Sequence, residues 1–302
     1  MNFHLKNILI IVTIFNLSGV FAQSANADSQ YSDSIDKWHN KRIASLKKSN
    51  SWLTLAGLYW LEPGKNTFGS SPENDLVFPE KAEDQMGYFQ LQDSIVTIFI
   101  NTGIPVKNDS VGIQKMELKN DNQQNTTILT YKSLSWYIIK RDDMYGVRLK
   151  DSEHPNLKNF TGIERFPVDQ NWRIKAHLLP GTEKKIQIPN VLGQVSDAPC
   201  PGTLVFKING EEYRLDPIAD KDDQQYWIIF SDATNGEETY GAGRFLYIDS
   251  ADEQGNTFID FNKSYNPPCV FSPYATCPLP PRQNNLDIKI TAGEKNYEHE
   301  SH

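Results

Sequence analysis

The chain has 302 residues, a net charge of −8, 38% hydrophobic content and 11% aromatics. That supplies a core for one large or two modest domains, and the acidic balance argues against nucleic acid or an anionic membrane as the main partner. Lys47-Lys48 and Lys184-Lys185 are short enough to read as solvated surface.

At the N-terminus Lys6 precedes an apolar run from Ile8 to Leu17, followed by Val20-Phe21-Ala22 and then Ala25-Asn26-Ala27. A basic start, a short apolar run and small residues at a cleavage point describe a secretory signal over residues 1–22, and the run is too short to span a bilayer. The mature chain is therefore expected to begin near Gln23 or Asp28, to be periplasmic or secreted, and to have no stable membrane insertion. Residues 23–50 form a helical segment, with Ile35, Trp38, Ile43 and Leu46 near helical spacing over Ser34 to Ser49. The aromatic run Ser51 to Leu61 reads as a buried strand pair, or a strand kinked at Gly57, with Trp52 and Trp60 as core residues.

From Gly64 to Lys150 short β-branched and aromatic runs alternate with Ser-Pro, Asn-Thr-Gly and Asp-Asp turns. Strands at this spacing without helical periods indicate a β-sandwich over residues 51–153. His154 to Phe160 reads as a linker. A second β-rich domain, 160–295, starts with the strand Trp172–Leu178, has a hairpin at Asn209-Gly210 and ends on a strand Asp287–Thr291, with a tail at 296–302. The fold class is thus mainly β, with one N-terminal helix.

The segment Asp260 to Pro281 closes the second half. Its 22 residues hold six prolines and two of the three cysteines, so it can be neither an interior helix nor a central strand. In an oxidising compartment Cys269 and Cys277 can close a small loop, with Cys200 left over or competing; spacing does not decide the connectivity. These thiols lack the ligand spacing of a zinc site, and no residue pattern implies a metal or any other cofactor.

Two resemblances follow from particular segments. Gly69-Ser70-Ser71-Pro72-Glu73-Asn74-Asp75-Leu76-Val77-Phe78, with Asn101-Thr102-Gly103 further on, resembles the opening of a forkhead-associated β-sandwich. In that family an Arg follows the first Gly, and a Ser and a His serve the phosphothreonine loops. Here Ser70 stands at the Arg position, and Asp84 to Tyr88 supply no Ser-x-x-His, so the resemblance implies the scaffold and not phosphopeptide binding. More broadly, the segments Trp52 to Leu61, Phe68-Gly69-Ser70, Gly162 to Pro167, Asp232 to Tyr247, the proline loop and Ala292 to Lys295 resemble an uncharacterised bacterial family, domain of unknown function 1684, over roughly residues 50 to 295. That family brings no activity with it.

Gly-x-Ser-x-Gly, His-Glu-x-x-His and P-loop signatures are absent from the sequence. The densest polar run is Ser231 to Phe245, joining two expected strands through a glycine-rich turn. Strand alternation could gather Arg244, Asp260, Asn262 and Tyr265 around one pocket with Asn266 and Tyr274 of the proline loop. Arg244 then either grips a carboxylate, phosphate or sugar acid, or pairs with Asp232 or Asp260 and pins the loop. Three functions follow: an extracytoplasmic binder of a small polar or glycan-type ligand near Arg244 and Asn262–Tyr274, a hydrolase using Asp232, Glu237 or Asp260, and a protein docking a partner through its proline-aromatic loop.

Overall fold

The structure is a computed structural model that describes residues 17–181 and 184–297, with side chains from residue 28 onward. The apolar run of the expected targeting signal falls almost wholly on residues 1–16, and Glu298 to His302 of the tail also lie outside the described residues. Among the described residues no helix is long and apolar enough to cross a membrane.

Helix α1 spans Leu17–Leu46 and starts well before the expected Ser34. Its apolar stripe buries Ile35 and Leu46 fully, with Trp38 and Ile43 half-buried. A short 3-10 turn, Trp52–Thr54, then leads into the first sandwich. Its strands are β1 (Leu55–Trp60), β2 (Gly64–Gly69), β3 (Leu76–Val77), β4 (Gly87–Gln92), β5 (Ile95–Ile100), β6 (Lys107–Asn108), β7 (Val111–Gly112), β8 (Lys115–Leu118), β9 (Leu129–Tyr131), β10 (Leu134–Arg141) and β11 (Met144–Asp151). One sheet runs β1-β11-β10-β9-β6-β7 and the other β3-β2-β4-β5-β8. Between them lies a core centred on Phe68, Phe78, Phe89 and Trp136. The kink expected at Gly57 is a register shift between Leu55 and Gly57, opposite β11.

The expected linker is a short helix, α2 (Pro155–Asn159), with Pro at its first turn and His154 capping Asn156 N–H. The second half follows with β12 (Arg173–Pro180), β13 (Lys185–Pro189), β14 (Val195–Pro199), β15 (Gly202–Ile208), β16 (Glu211–Leu215), β17 (Gln225–Asp232), β18 (Arg244–Asp249), β19 (Asn256–Asp260) and β20 (Asn285–Leu286). Sheet β16-β15-β12-β19 faces sheet β18-β17-β20 across a core containing Phe206, Ile228, Phe230, Leu246, Ile259 and Phe261. The β15–β16 hairpin turns at Asn209 and Gly210 with φ of 52° and 90°, the two positive values a type I′ turn requires.

The strand expected at Asp287–Thr291 is not a ladder strand: pairing stops at Leu286, where β20 runs parallel to β17. One further backbone bond runs from Ala233 N–H to the Ile288 carbonyl at 3.0 Å, and side chains replace the rest of the ladder. Arg244 donates to the carbonyls of Ile290 and Ala292, while Asp232 Oδ1 accepts from Ile290 N–H at 3.1 Å. Gly293 follows at φ +78°, where a Cβ would stand 2.5 Å from the Ser264 carbonyl oxygen, so no larger residue fits the return. The two halves meet along a seam that joins Leu55 of β1 to Ile229, Phe245, Ala275 and Cys277.

Candidate functional site

Strand parity decides which predicted residues can form a site. On β18, Arg244, Leu246 and Ile248 face the inner core, whereas Phe245 and Tyr247 face the seam. Arg244 is therefore fully buried, 0% exposed, and is not among the residues that line the seam cavity or the cavity beside α1. Its guanidinium meets Asp232 Oδ2 at 2.7 Å and the carbonyls of Ile290 and Ala292. The ligand-gripping role expected for Arg244 is corrected by this geometry; it pins the C-terminal segment.

Asp232 is equally engaged, its Oδ1 accepting from Thr234 N–H at 2.9 Å, Thr234 Oγ1 at 2.6 Å and Ile290 N–H. With both oxygens occupied in a closed core, the acid–base role expected of it has no site. Asn262 is also structural: it donates to the Asp169 carbonyl and the Tyr31 hydroxyl at 2.9 Å each, and accepts from Asp169 N–H at 3.1 Å. Asp260 Oδ1 accepts from Tyr31 Oη at 2.8 Å and from Asn262. Among the described residues its Oδ2 has only Lys263 Nζ, at 4.0 Å, and the residue lines a cavity beside α1. Glu237 pairs with Lys289 at 2.7 Å on the surface, in a different cavity with Glu164 and Glu238. Asp232, Glu237 and Asp260 thus do not converge.

The cavity that does bring chemistry together sits on the seam, with a volume of about 300 Å³. Two predicted residues, Tyr265 and Asn266, line it; Tyr274 packs into the adjoining apolar cluster without lining it. The other lining groups come from distant parts of the chain: Arg42 of α1, Trp52, Arg141 and Arg148 of the first sandwich, Trp227 and Tyr247 of β17 and β18, and Thr276 of the proline loop. Cross-strand pairs Tyr137↔Arg148 and Ile139↔Gly146 show why both first-sandwich arginines point there. Their parity on β10 and β11 is opposite to that of Trp136, Ile138, Val147 and Leu149, which fill the sandwich core.

The three guanidinium groups differ in what balances them. Arg42 Nε lies 3.1 Å from Glu294 Oε1, its Nη2 donates to the Asn266 carbonyl at 3.0 Å, and its Cζ sits 4.8 Å from the Tyr265 ring centroid. Arg141 pairs with Asp121 at 2.9 Å. Arg148 has no acidic partner among the described residues, although it is only 3% exposed. Its single hydrogen bond runs from Nη2 to Thr276 Oγ1 at 2.9 Å, and its buried Nε has no acceptor. Arg141 Nε donates to that same Thr276 oxygen at 3.1 Å. Two guanidinium donors occupy the hydroxyl oxygen, which leaves the Thr276 hydrogen free to donate. The Asn266 Oδ1 atom is a second buried orphan at this cavity.

The electrostatics agree. Burial first, and the Arg148 charge second, hold the Lys150 amine below its ordinary value. Burial pushes the Tyr265 phenol above its usual range, and the Tyr247 phenol likewise, so both are neutral hydrogen-bonding groups at physiological pH. Cys269 and Cys277 are joined, which anchors the loop carrying Thr276, and Cys200 is a buried free thiol bonded to the Gly202 carbonyl at 3.0 Å. Among the described residues no group of three or more His, Cys, Asp or Glu is arranged to hold a metal ion.

The arginines were missed because no local motif marks them. The available signal was Val147-Arg148-Leu149, a cation set between two core residues of an apolar strand.

No curated protein matches the chain. Among solved structures it is similar to the NMR structure of an uncharacterized protein of Haloarcula marismortui, at 27% identity, covering 47% of this chain and 80% of that one, with a TM-score of 0.39. Residues 158–295, a span that begins beyond the Trp52 to Leu61 and Phe68 to Ser70 segments, match the family described as protein of unknown function DUF1684.

Proposed function

We propose that this protein binds a small anionic ligand, a carboxylate or a phosphate, in the seam cavity, and does so outside the cytoplasm. Arg148 carries the reading. A buried cation without a counter-ion costs several kcal/mol, and an anion bound to its free donors and to the Thr276 hydroxyl repays that cost through charge-assisted hydrogen bonds. The Trp227, Tyr247 and Tyr265 rings offer apolar surface to the rest of the ligand. The Cys269–Cys277 bond supports an oxidising compartment.

The rival readings have less behind them. The hydrolase reading needs two acids facing one ligand, and its candidates are dispersed or saturated. Partner docking through the proline loop needs an exposed patch, whereas in the stretch 267–281 Pro273 is the exposed residue. For residues 51–153 a forkhead-associated-like scaffold is supported by the two-sheet sandwich; Ser70, at the position of that family's Arg, donates to Asp84 at 3.2 Å, an acidic setting that repels phosphate.

The test is a thermal-shift titration of the mature chain with acetate and inorganic phosphate, alongside Arg148→Gln. Ligand at about 100 times its dissociation constant adds roughly 2.7 kcal/mol of stability, read as a raised midpoint. The shift is expected in the wild type and absent in the variant. Equal shifts in both, or none in the wild type, would overturn the proposal.

A further inference from the structure

The seam cavity shares Tyr247 with a neighbouring one. That residue, 48% exposed, also lines a second cavity of about 290 Å³, together with Trp38, Arg173, Gln225, Asp249 and Asp260. The Tyr247 ring lies nearly parallel to Trp227 on one side, at 6.2 Å and 17°, and to Tyr265 on the other, at 6.3 Å and 10°. The three rings form a row along the cationic pocket, and the middle one, Tyr247, also borders the second cavity.

The charges of the two cavities are unlike. The first has one guanidinium in excess, since Arg42 and Arg141 each have a carboxylate and Arg148 has none. The second holds Arg173 and Lys263 against Asp249 and Asp260, and is formally neutral. Its free groups are of both kinds: Asp260 Oδ2 accepts, whereas Arg173, set 3.8 Å over the Phe258 ring, donates. A polyanion gains nothing from such a balance. Neutral hydroxyl groups, which both donate and accept, can use every member of it.

We infer that the ligand is an acidic saccharide: its anionic group sits at Arg148 and Thr276, a sugar ring lies along the Tyr265–Tyr247 row, and a following neutral sugar occupies the second cavity. This rests on the anion-binding reading of the first cavity. A peptide ending in a free carboxylate is the competing occupant. Peptide recognition draws on unpaired backbone groups along a strand edge. β18 is the edge of its sheet, held by β17 on one side and by Tyr265 at Phe245 on the other, which leaves only the stretch beyond Phe245 open to a peptide backbone, too short for strand addition.

The experiment is isothermal titration of the mature protein with acetate, inorganic phosphate, glucuronate, glucose 6-phosphate, a glucuronate-terminated disaccharide and an uncharged-side-chain tripeptide. Glucuronate or glucose 6-phosphate is expected to bind at least tenfold tighter than its bare anion, and that pair separates carboxylate from phosphate preference. The disaccharide is expected to bind about tenfold tighter again. Gln225→Ala and Asp249→Ala, both at exposed positions, should bring the disaccharide-to-glucuronate affinity ratio towards one. Acetate or phosphate binding without any gain from the sugars would overturn the saccharide assignment and leave the anion site standing. So would a tripeptide tighter than the disaccharide, or a ratio unmoved in the variants. Failure of every anion would overturn both readings.

Discussion

Replacing Arg148 by methionine should make the ligand-free protein more stable, which is unusual for a residue only 3% exposed. The guanidinium recovers little of its desolvation cost. One charge-assisted hydrogen bond to Thr276 at 2.9 Å is worth about 1.5–3 kcal/mol, and the Trp52 ring at 5.9 Å adds about 0.5–1 kcal/mol. The effective penalty for the buried charge is several kcal/mol, and exchanging buried ionic groups for apolar ones of similar volume is often stabilising by about 1–4 kcal/mol. Methionine keeps the length and fills an irregular space. Arg148→Met should therefore gain roughly 1–3 kcal/mol. At about 2–4 °C per kcal/mol, the midpoint rises by roughly 2–12 °C in buffer free of phosphate and carboxylates. Adding either anion should raise the wild type and leave the variant where it was, so the two melting curves exchange order. A variant that melts several degrees below the wild type in anion-free buffer would refute this reasoning, because Arg148 would then be an anchor whose bond to Thr276 outweighs its burial.

Arg244→Ala should do the opposite, since it strands the Asp232 carboxylate at 0% side-chain exposure: the expected loss is about 3–5 kcal/mol by denaturant titration, and a loss below about 1 kcal/mol would contradict the pinning role. Replacing Cys269 and Cys277 by serine removes a cross-link of sequence separation 8, worth about 2–3 kcal/mol in the chain-entropy model; because Thr276 lies inside that loop, acetate affinity should fall with stability, and unchanged affinity would uncouple the loop from the site. His39, on α1, is held below its ordinary pKa by burial first, against Glu294, with Arg165 and Arg42 adding to the depression. The folded state thus binds this proton less readily than the unfolded one. Its stabilising contribution is complete above about pH 6.5, the unfolded value, and is lost as pH falls below it. His39→Asn should flatten the midpoint-versus-pH curve between pH 7 and 5, and a curve of unchanged slope would show that other groups set acid lability.

The legible part of this protein was its local chemistry. Alternating short strands, the Asn209-Gly210 turn and the proline loop all announce themselves within a few residues, and the structure holds each where local rules put it. Function was harder because it depends on parity and on distance along the chain. Arg244 and Phe245 are neighbours, yet one faces a sealed core and the other the seam, and a one-residue change of register exchanges those fates. The expected strand at Asp287–Thr291 failed for a related reason: beyond the Ala233–Ile288 backbone bond, the backbone at Ile290 and Ala292 is satisfied by the Arg244 and Asp232 side chains, a contact no periodicity encodes. The cavity itself joins Arg148 to Thr276 across 128 residues and Arg42 to Glu294 across 252.

That dispersion bears on what the site recognises. The segment matched to the family, residues 158–295, supplies the aromatic row, the disulfide and Thr276. It supplies none of the guanidinium groups at the cavity, which belong to α1 and to β10 and β11. Within 158–295 alone the pocket would present rings, a hydroxyl and an amide beside the Glu294 carboxylate, with no cation for an anionic ligand. The first sandwich and α1 add the charge. Arg141 brings its counter-ion Asp121 with it, and Arg42 neutralises Glu294 of the matched segment, so neither leaves a net charge at the pocket. Arg148 alone changes its sign. The anion recognition proposed for this chain therefore rests on one residue, on the face of β11 turned away from its own sandwich core and met by the loop from the other half.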